Sequence, residues 1–258
     1  MELIDSHAHV YLDQFSPDLD EVIDRAKEAG ITAIFMPNID LSTVEDMLEV
    51  AARYRGYCFP MIGLHPCSVD KHFEKQLYQL EDWLDQENFM AIGEIGTDLY
   101  WDETYWEQQQ EALKIQVGWG IEKQLPFVVH CRNSMAQTIR IIQEFDIDSL
   151  KGIFHCFSGT AEEAQTLTDM GVHLGIGGIA TFKNGGLGPV VENTPLKNMV
   201  LETDSPYLAP HPYRGKRNEP AFLEHIARKI CEMKGISIEE MGNITSENCR
   251  MLFTQFAN

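Results

Sequence analysis

The chain has 258 residues, 44% of them hydrophobic, which is enough for one large α/β domain. Twenty Lys and Arg stand against 40 Asp and Glu, a formal net charge of −20 at pH 7. That balance argues against a broad basic footprint for nucleic acid, but it leaves room for a phosphate-bearing substrate where bound cations invert the local sign. No run of about 18 apolar residues occurs, so no membrane span is expected. The six cysteines form no C-x-x-C pair, and the stretch MELIDSHAHV carries no basic region followed by an apolar one, so reduced thiols and a cytoplasmic protein are expected.

In chain order, residues 3–9 (LIDSHAH) read as a first strand ending in two histidines. Alternate side chains of a strand share a face, so His7 and His9 are expected to point the same way, their Cα atoms roughly 6.5 Å apart, as a pair of parallel imidazoles able to grip one cation. Residues 18–29 have helical periodicity and stop at Gly30. Residues 31–36 form a β-rich run, and a second helix is expected to open at Ser42 with Glu45 completing a capping box. Residues 57–64 make strand three, 77–84 a helix and 89–95 strand four. The alternation continues with a helix over 104–123, a strand over 126–130, a helix over 134–145, a strand over 151–155 and a helix over 161–170. Strand seven spans 172–177, a short helix 188–193 and strand eight 198–202, and helices over 221–234 and 246–256 close the chain.

About eight strand–helix alternations at roughly 30-residue spacing indicate βαβ units and a parallel sheet, and the length suits a (β/α)₈ TIM barrel. No Pro/Gly/Ser-rich linker divides it, so a single domain over 1–258 is expected. A doubly wound open sheet is the alternative, but no G-x-G-x-x-G follows the first strand.

The polar residues sit at the ends of these strands. His7 and His9 follow strand one, Glu94 ends strand four, His130 ends strand five, His155 ends strand six, and Asp204 follows strand eight. In a barrel these ends face one mouth. Each alone could be a structural strand-end residue, but six metal-ligand types in register with the strands point to a metal site. Six ligands exceed the three that a single catalytic zinc takes, so two divalent ions (Mg, Mn or Zn) sharing Glu94 are expected.

The blocks DSHAH (5–9), GLHP (63–66), IGEIGTD (92–98), VVHCR (128–132), FHCFSG (154–159), LETDSPYL (201–208), RG (214–215) and NEP (218–220) resemble the TatD-type metal-dependent deoxyribonucleases of the amidohydrolase superfamily. The resemblance implies a barrel hydrolase with DNA as substrate. It also implies one ion on His7, His9, Glu94 and Asp204 and another on Glu94, His130 and His155. Thr97 stands where that family usually has Leu, and Leu99 where an aromatic is common, which bears on substrate preference. Beyond the ligands, His65 is a candidate donor to the scissile phosphate and Asp204 a candidate acceptor of the attacking water's proton. Arg132 and Arg214 are candidates to fork onto phosphate oxygens, and Glu202 to orient a ligand. Cys131 and Cys156 are expected to pack away from the mouth. Tyr100, Trp101, Tyr105 and Trp106 either stack an unpaired base or pack under a helix. The expected activity is exonuclease-like cleavage of single-stranded or frayed DNA, with no obligate protein partner and no membrane. The rivals are an amidohydrolase-type hydrolase of a small C–N or C–O substrate, a D-aminoacyl-tRNA ester deacylase, and a metal-binding module without turnover.

Overall fold

The computed structural model describes residues 2–256. Eight strands alternate with helices: β1 (Leu3–Asp5), α1 (Leu19–Glu28), β2 (Ile31–Pro37), α2 (Val44–Arg53), β3 (Cys58–Met61), α3 (Phe73–Gln86), β4 (Ile92–Asp98) and α4 (Trp106–Lys123). Then come β5 (Phe127–Arg132), α5 (Met135–Ile142), β6 (Gly152–Phe154), α6 (Ala161–Asp169), β7 (His173–Ile176), α7 (Gly188–Asn193), β8 (Met199–Leu201), α8 (Leu223–Lys234) and α9 (Ile238–Leu252).

The strands pair in parallel and in sequence order, β1 to β3 and β4 to β8. Two single bridges join these arcs: Ile62 with Ile92 between β3 and β4, and Ala8 with Ser205 between β8 and the segment after β1. Gly93 N donates to Ile62 O at 2.7 Å, and Asp204 N to His7 O at 2.9 Å, so both seams are hydrogen-bonded. The result is a (β/α)₈ barrel.

Strand alternation positions the site. Ile4, Ala33, Phe35, Met61, Val128, Ile153 and Val200 pack into one buried cluster with Cys249, Leu252 and Phe253 of α9 and its end. The Phe253 ring stacks on Phe35 with centroids 3.9 Å apart. These residues fill the lower barrel and α9 plugs it. The same inward face then continues upward: Val128 to His130 to Arg132, Ile153 to His155, Val200 to Glu202 to Asp204. Apolar at the bottom and polar at the top, one period-2 pattern builds both core and site.

Some boundaries differ from expectation. β1 stops at Asp5, so His7 and His9 lie beyond the strand, in a segment held by Ala8 N to Phe35 O at 3.0 Å and His9 N to Ser205 O at 2.7 Å. The capping box near α2 falls at Asp40 and Thr43, two residues ahead of the expected Ser42 and Glu45, because Asp40 accepts from Ser42 N and leads a 3₁₀ turn into the helix. The last helix starts at Ile238, not at 246, because Ser237 caps it by accepting from Glu240 N. No helix among the described residues is long and apolar enough to cross a membrane, and all six cysteines are free thiols.

Candidate active site

Glu94, nearly fully buried on β4, is the centre of the mouth. Its Oε2 lies 3.1 Å from His7 Nε2 and 3.4 Å from His9 Nε2. Its Oε1 lies 2.8 Å from His155 Nε2, 3.1 Å from His130 Nδ1 and 3.3 Å from His65 Nε2. Asp204 Oδ1 joins the first set, 3.7 Å from His7 Nε2 and 3.6 Å from His9 Nε2. All six predicted ligands therefore converge, with His65 as a seventh residue against them. His7 and His9 meet edge-on at 75° instead of lying parallel, because the backbone leaves β1 before them; His7 stacks on His155 instead, with centroids 3.9 Å apart.

The backbone is shaped for this approach. Gly96 has φ +138°, and a Cβ there would sit 1.9 Å from the carbonyl oxygen of His130, so only glycine lets β4 close on β5 at this point. Asp204 takes the left-handed conformation, φ +55°, which Asp tolerates better than most residues. Its loop is braced by Asn218, whose side-chain amide donates to Thr203 O at 2.8 Å and Tyr207 O at 2.6 Å. That gives the NEP block a mechanical role.

Far-side partners fix which ring nitrogens face inward. Tyr11 gives its one hydroxyl proton to Pro37 O at 2.6 Å, so at 3.1 Å from His9 Nδ1 it accepts, and His9 presents Nε2 to the cluster. Asp98 Oδ2, 2.9 Å from His130 Nε2, takes the proton there and leaves the Nδ1 lone pair facing Glu94. Asp98 carries no role in the sequence reading. Its signal was the period-2 run Glu94, Gly96, Asp98, which puts both carboxylates on one strand face.

Burial favours a neutral Glu94, but His155, His65 and His7 around it hold its carboxyl well below the ordinary range. Burial likewise opposes ionisation of Asp204, and the hydrogen bond with His9 together with His155 and His7 brings it below its ordinary value. Both carboxylates are therefore anionic at neutral pH. His7 is pushed down to about 4 by burial and by His155. For His9 burial acts downward too, yet Asp204 and Glu94 raise it to about 9; Asp98 and Glu94 do the same for His130. A proton there does with one charge what a divalent cation would do with two.

The donor set fits divalent cations. Imidazole nitrogens face each other at 3.3 Å in two places, His7 Nε2 with His9 Nε2 and His130 Nδ1 with His155 Nε2, each beside an anionic oxygen. Three overlapping triads have ligand atoms within 4.8 Å of one another: His7–His155–Asp204, His7–His9–Glu94 and His65–Glu94–His130.

The cluster floors a cavity of about 690 Å³ that His65, Asp98, Trp101, Arg132 and Tyr207 help to line. Cys131 packs its thiol under α5 as expected, 3.2 Å from Thr138 Oγ1 and 3.5 Å from Ser134 Oγ, whereas Cys156 lines the cavity, contrary to the expectation that it turns away; there the backbone enters the left-handed region, φ +46°, which redirects its side chain. Arg214 is exposed outside the cavity lining, its guanidinium 3.6 Å from the Phe182 ring centroid. Glu202 accepts from Cys156 N and is 3.7 Å from His155 Nδ1, too far for a hydrogen bond. Burial, followed by its carboxylate neighbours Asp204 and Asp5, raises Glu202 well above the ordinary carboxylate range. Tyr105 and the start of α4 at Trp106 are half-buried, whereas Tyr100 and Trp101 are exposed.

Comparison with known proteins agrees with this geometry. The TatD related DNase family matches residues 4–254. An uncharacterized metal-dependent hydrolase, YabD, of Bacillus subtilis (strain 168) is 36% identical over 252 residues, 97% of this chain and 98% of the relative. A protein named 3'-5' ssDNA/RNA exonuclease TatD, of Pantoea ananatis, is 29% identical over 246 residues, 93% of this chain and 95% of the relative. The crystal structure of the TatD homologue YjjV from Escherichia coli K12 superposes with a TM-score of 0.92 at 28% identity, covering 98% of each chain. The chain belongs to the TatD related DNase family, and is a metal-dependent hydrolase built on that family's barrel.

Proposed function

We propose that the protein is a binuclear phosphodiesterase that trims unpaired DNA from a strand end, the whole chain working as one barrel domain. The observation that carries this reading is Glu94, whose two oxygens face two separate sets of imidazoles, the arrangement of one carboxylate shared between two cations. In this reading His7, His9, Glu94 and Asp204 hold one divalent ion, and Glu94, His130 and His155 the other. The mixed nitrogen and oxygen donors suit Zn²⁺, Mn²⁺ or Mg²⁺. When bound, such a pair supplies an acidified water and neutralises charge on the phosphate.

The chain's own groups orient the substrate and move the protons. His65 Nδ1 accepts the amide of Cys67 at 3.0 Å, so its ring proton sits on Nε2. That N–H faces the cavity floor, and it is a donor for a non-bridging phosphate oxygen instead of a ligand. Burial opposes the charge on His65, but Glu94 raises its pKa and favours the donating form. Asp204 turns Oδ1 to His7 and His9, and its other oxygen accepts the proton of the attacking water. Arg132, at the cavity wall, offers its guanidinium edge to a phosphate; Arg214 lies outside that wall.

Relatives named as 3'-5' ssDNA/RNA exonucleases support the choice of substrate and direction. The cavity volume also suits a nucleotide or two of single strand better than the body of a duplex. The test uses metal-loaded protein with end-labelled single strands, blunt duplexes and recessed duplexes. Progressive shortening from the 3′ end, fastest on single strands and stopped by chelator, is expected. Turnover of a cyclic amide, a lactone or a D-aminoacyl-tRNA ester with intact oligonucleotides would overturn it.

A further inference from the structure

We propose that Tyr100, Trp101 and Arg132 form a rim subsite for an unpaired nucleobase and its phosphate, one nucleotide away from the bond that is cut. The proposal rests on the nuclease reading above and adds the part of the substrate that the metal centre does not touch.

Trp101 is 69% exposed and Tyr100 51% exposed, side by side on the segment that follows β4. Two adjacent large rings left in water mark a surface meant to be covered. Trp101 also lines the cavity that holds Glu94, so the rings stand on the wall of the site. Tyr207, 47% exposed, lines the same cavity with its ring 6.0 Å from that of His9.

The platform is held by the site itself. Asp98 Oδ1 accepts the backbone amides of Tyr100 at 2.8 Å and Trp101 at 3.2 Å, while Oδ2 holds His130. One carboxylate thus fixes both a predicted ligand and the ring-bearing turn, and the spacing between the floor and the rings is set. Leu99 N donates to Arg132 O at 2.9 Å, which ties the base of the turn to β5.

Arg132 makes the surface specific for a nucleotide. Its guanidinium carbon lies 3.6 Å from the Tyr100 ring centroid and 5.3 Å from that of Trp101. Among the described residues it has no carboxylate partner, in a chain with 40 acidic residues, and it is the one Lys or Arg lining the cavity. A guanidinium held by its face keeps its edge N–H groups for an anion, and phosphate fits that fork. The Tyr100 ring meets that of Trp101 edge-on at 88° and carries the guanidinium, so the exposed indole of Trp101 for a base, beside a fork for a phosphate, describes a nucleotide of a single strand. Stacking needs the base out of its pair and tolerates any base, since every base has a π face.

The test separates the subsite from turnover. Binding of a labelled six-residue oligothymidylate with hydrolysis-resistant phosphorothioate linkages, and of the same strand with one abasic site near its 3′ end, is measured by anisotropy on metal-loaded wild type, Trp101→Ala and Trp101→Phe. Expected is a loss of about 5- to 150-fold for wild type when the base is removed, and a similar loss for Trp101→Ala on the intact strand. In Trp101→Ala the abasic strand should bind no worse than the intact one, and Trp101→Phe should restore most of the affinity. Equal affinity of wild type for both strands, or a Trp101→Ala loss that is the same on both, overturns the subsite even where the enzyme cuts DNA. A wild type that fails to bind either strand also overturns it, as does a dimer that Trp101→Ala disperses in sedimentation, which would make the rings a contact between copies. Absence of turnover on any DNA by metal-loaded protein would instead overturn the nuclease reading, with the subsite judged by the binding arm.

Discussion

Asp98 uses both oxygens of its carboxylate, one on His130 and one on the amides of Tyr100 and Trp101, and it has nothing to spare. Burial works against its charge, yet His130 and those amides hold it down at about 2. In Asp98→Asn the amide oxygen keeps the backbone bonds, and the NH₂ group then faces His130 Nε2. The ring must move its proton to Nδ1, the nitrogen directed at Glu94, and so loses its lone pair there. Expected is a ten- to hundredfold fall in affinity for one ion of two, with the fold intact, read by calorimetric metal titration and circular dichroism. A folded-state pKa below the unfolded value contributes stability above about pH 4 that is lost as pH falls toward about 2. Acid denaturation of the variant should therefore be shallower over that window. Glu94→Gln removes the shared charge, and elemental analysis should fall from two ions per chain in wild type to one or fewer, with turnover abolished. A wild type that saturates at one ion would sink the binuclear centre.

At the scale of elements, the barrel and the six side chains that converge in its mouth were legible in the sequence because one rule, alternation along a buried strand, governs both. Val128–His130 and Val200–Asp204 change from apolar to polar at the height where the mouth begins, and that change is visible without coordinates. What escaped depends on contacts between elements remote in sequence. The end of β1 at Asp5 is one case: Asp5 Oδ1 accepts Thr203 N at 2.9 Å and Oδ2 accepts Thr203 Oγ1 at 2.6 Å, which locks the β8–β1 seam and bends the chain before His7. The left-handed turn at Cys156, which brings its thiol to the cavity, is another. Burial raises Asp5 to about 7 despite the hydrogen bonds from Thr203 and His7. For a carboxyl raised above its unfolded value, folding favours the protonated form, so this residue's contribution to stability declines as pH rises from about 4 to about 7. Asp5→Asn should remove that slope, leaving stability flat across those limits; chemical denaturation across pH checks it. Gly96→Ala should act differently, forcing β4 off β5 at His130, with a loss of at least about 2 kcal/mol and weaker metal binding together. Unchanged metal affinity in that variant would mean that β5 can yield without moving His130.

At the scale of the whole molecule, a net charge of −20 meets a polyanionic substrate, and the two are reconciled only if the grip is local. Arg132 is the one Lys or Arg along the cavity wall, and the remaining attraction falls to the bound cations and the protonated face of His65. Few phosphates can then be neutralised, and few counterions released. For contact with about two to four phosphates of a single strand, log K against log salt should slope roughly −1.5 to −3. Rim stacking contributes to affinity without adding to this slope, so Trp101→Ala should weaken binding and leave the slope where it was, while Arg132→Ala should flatten it by about 0.7. Anisotropy titrations of metal-loaded protein against a hydrolysis-resistant phosphorothioate strand, from low to high salt, measure both. Away from the mouth the acidic surface should repel a duplex flank, so a single strand should bind more tightly than a blunt duplex, and the difference should shrink as salt screens the surface. A slope steeper than about −6, or a preference for duplex at low salt, would require many more phosphate contacts than this mouth can make, and would place the substrate on another face.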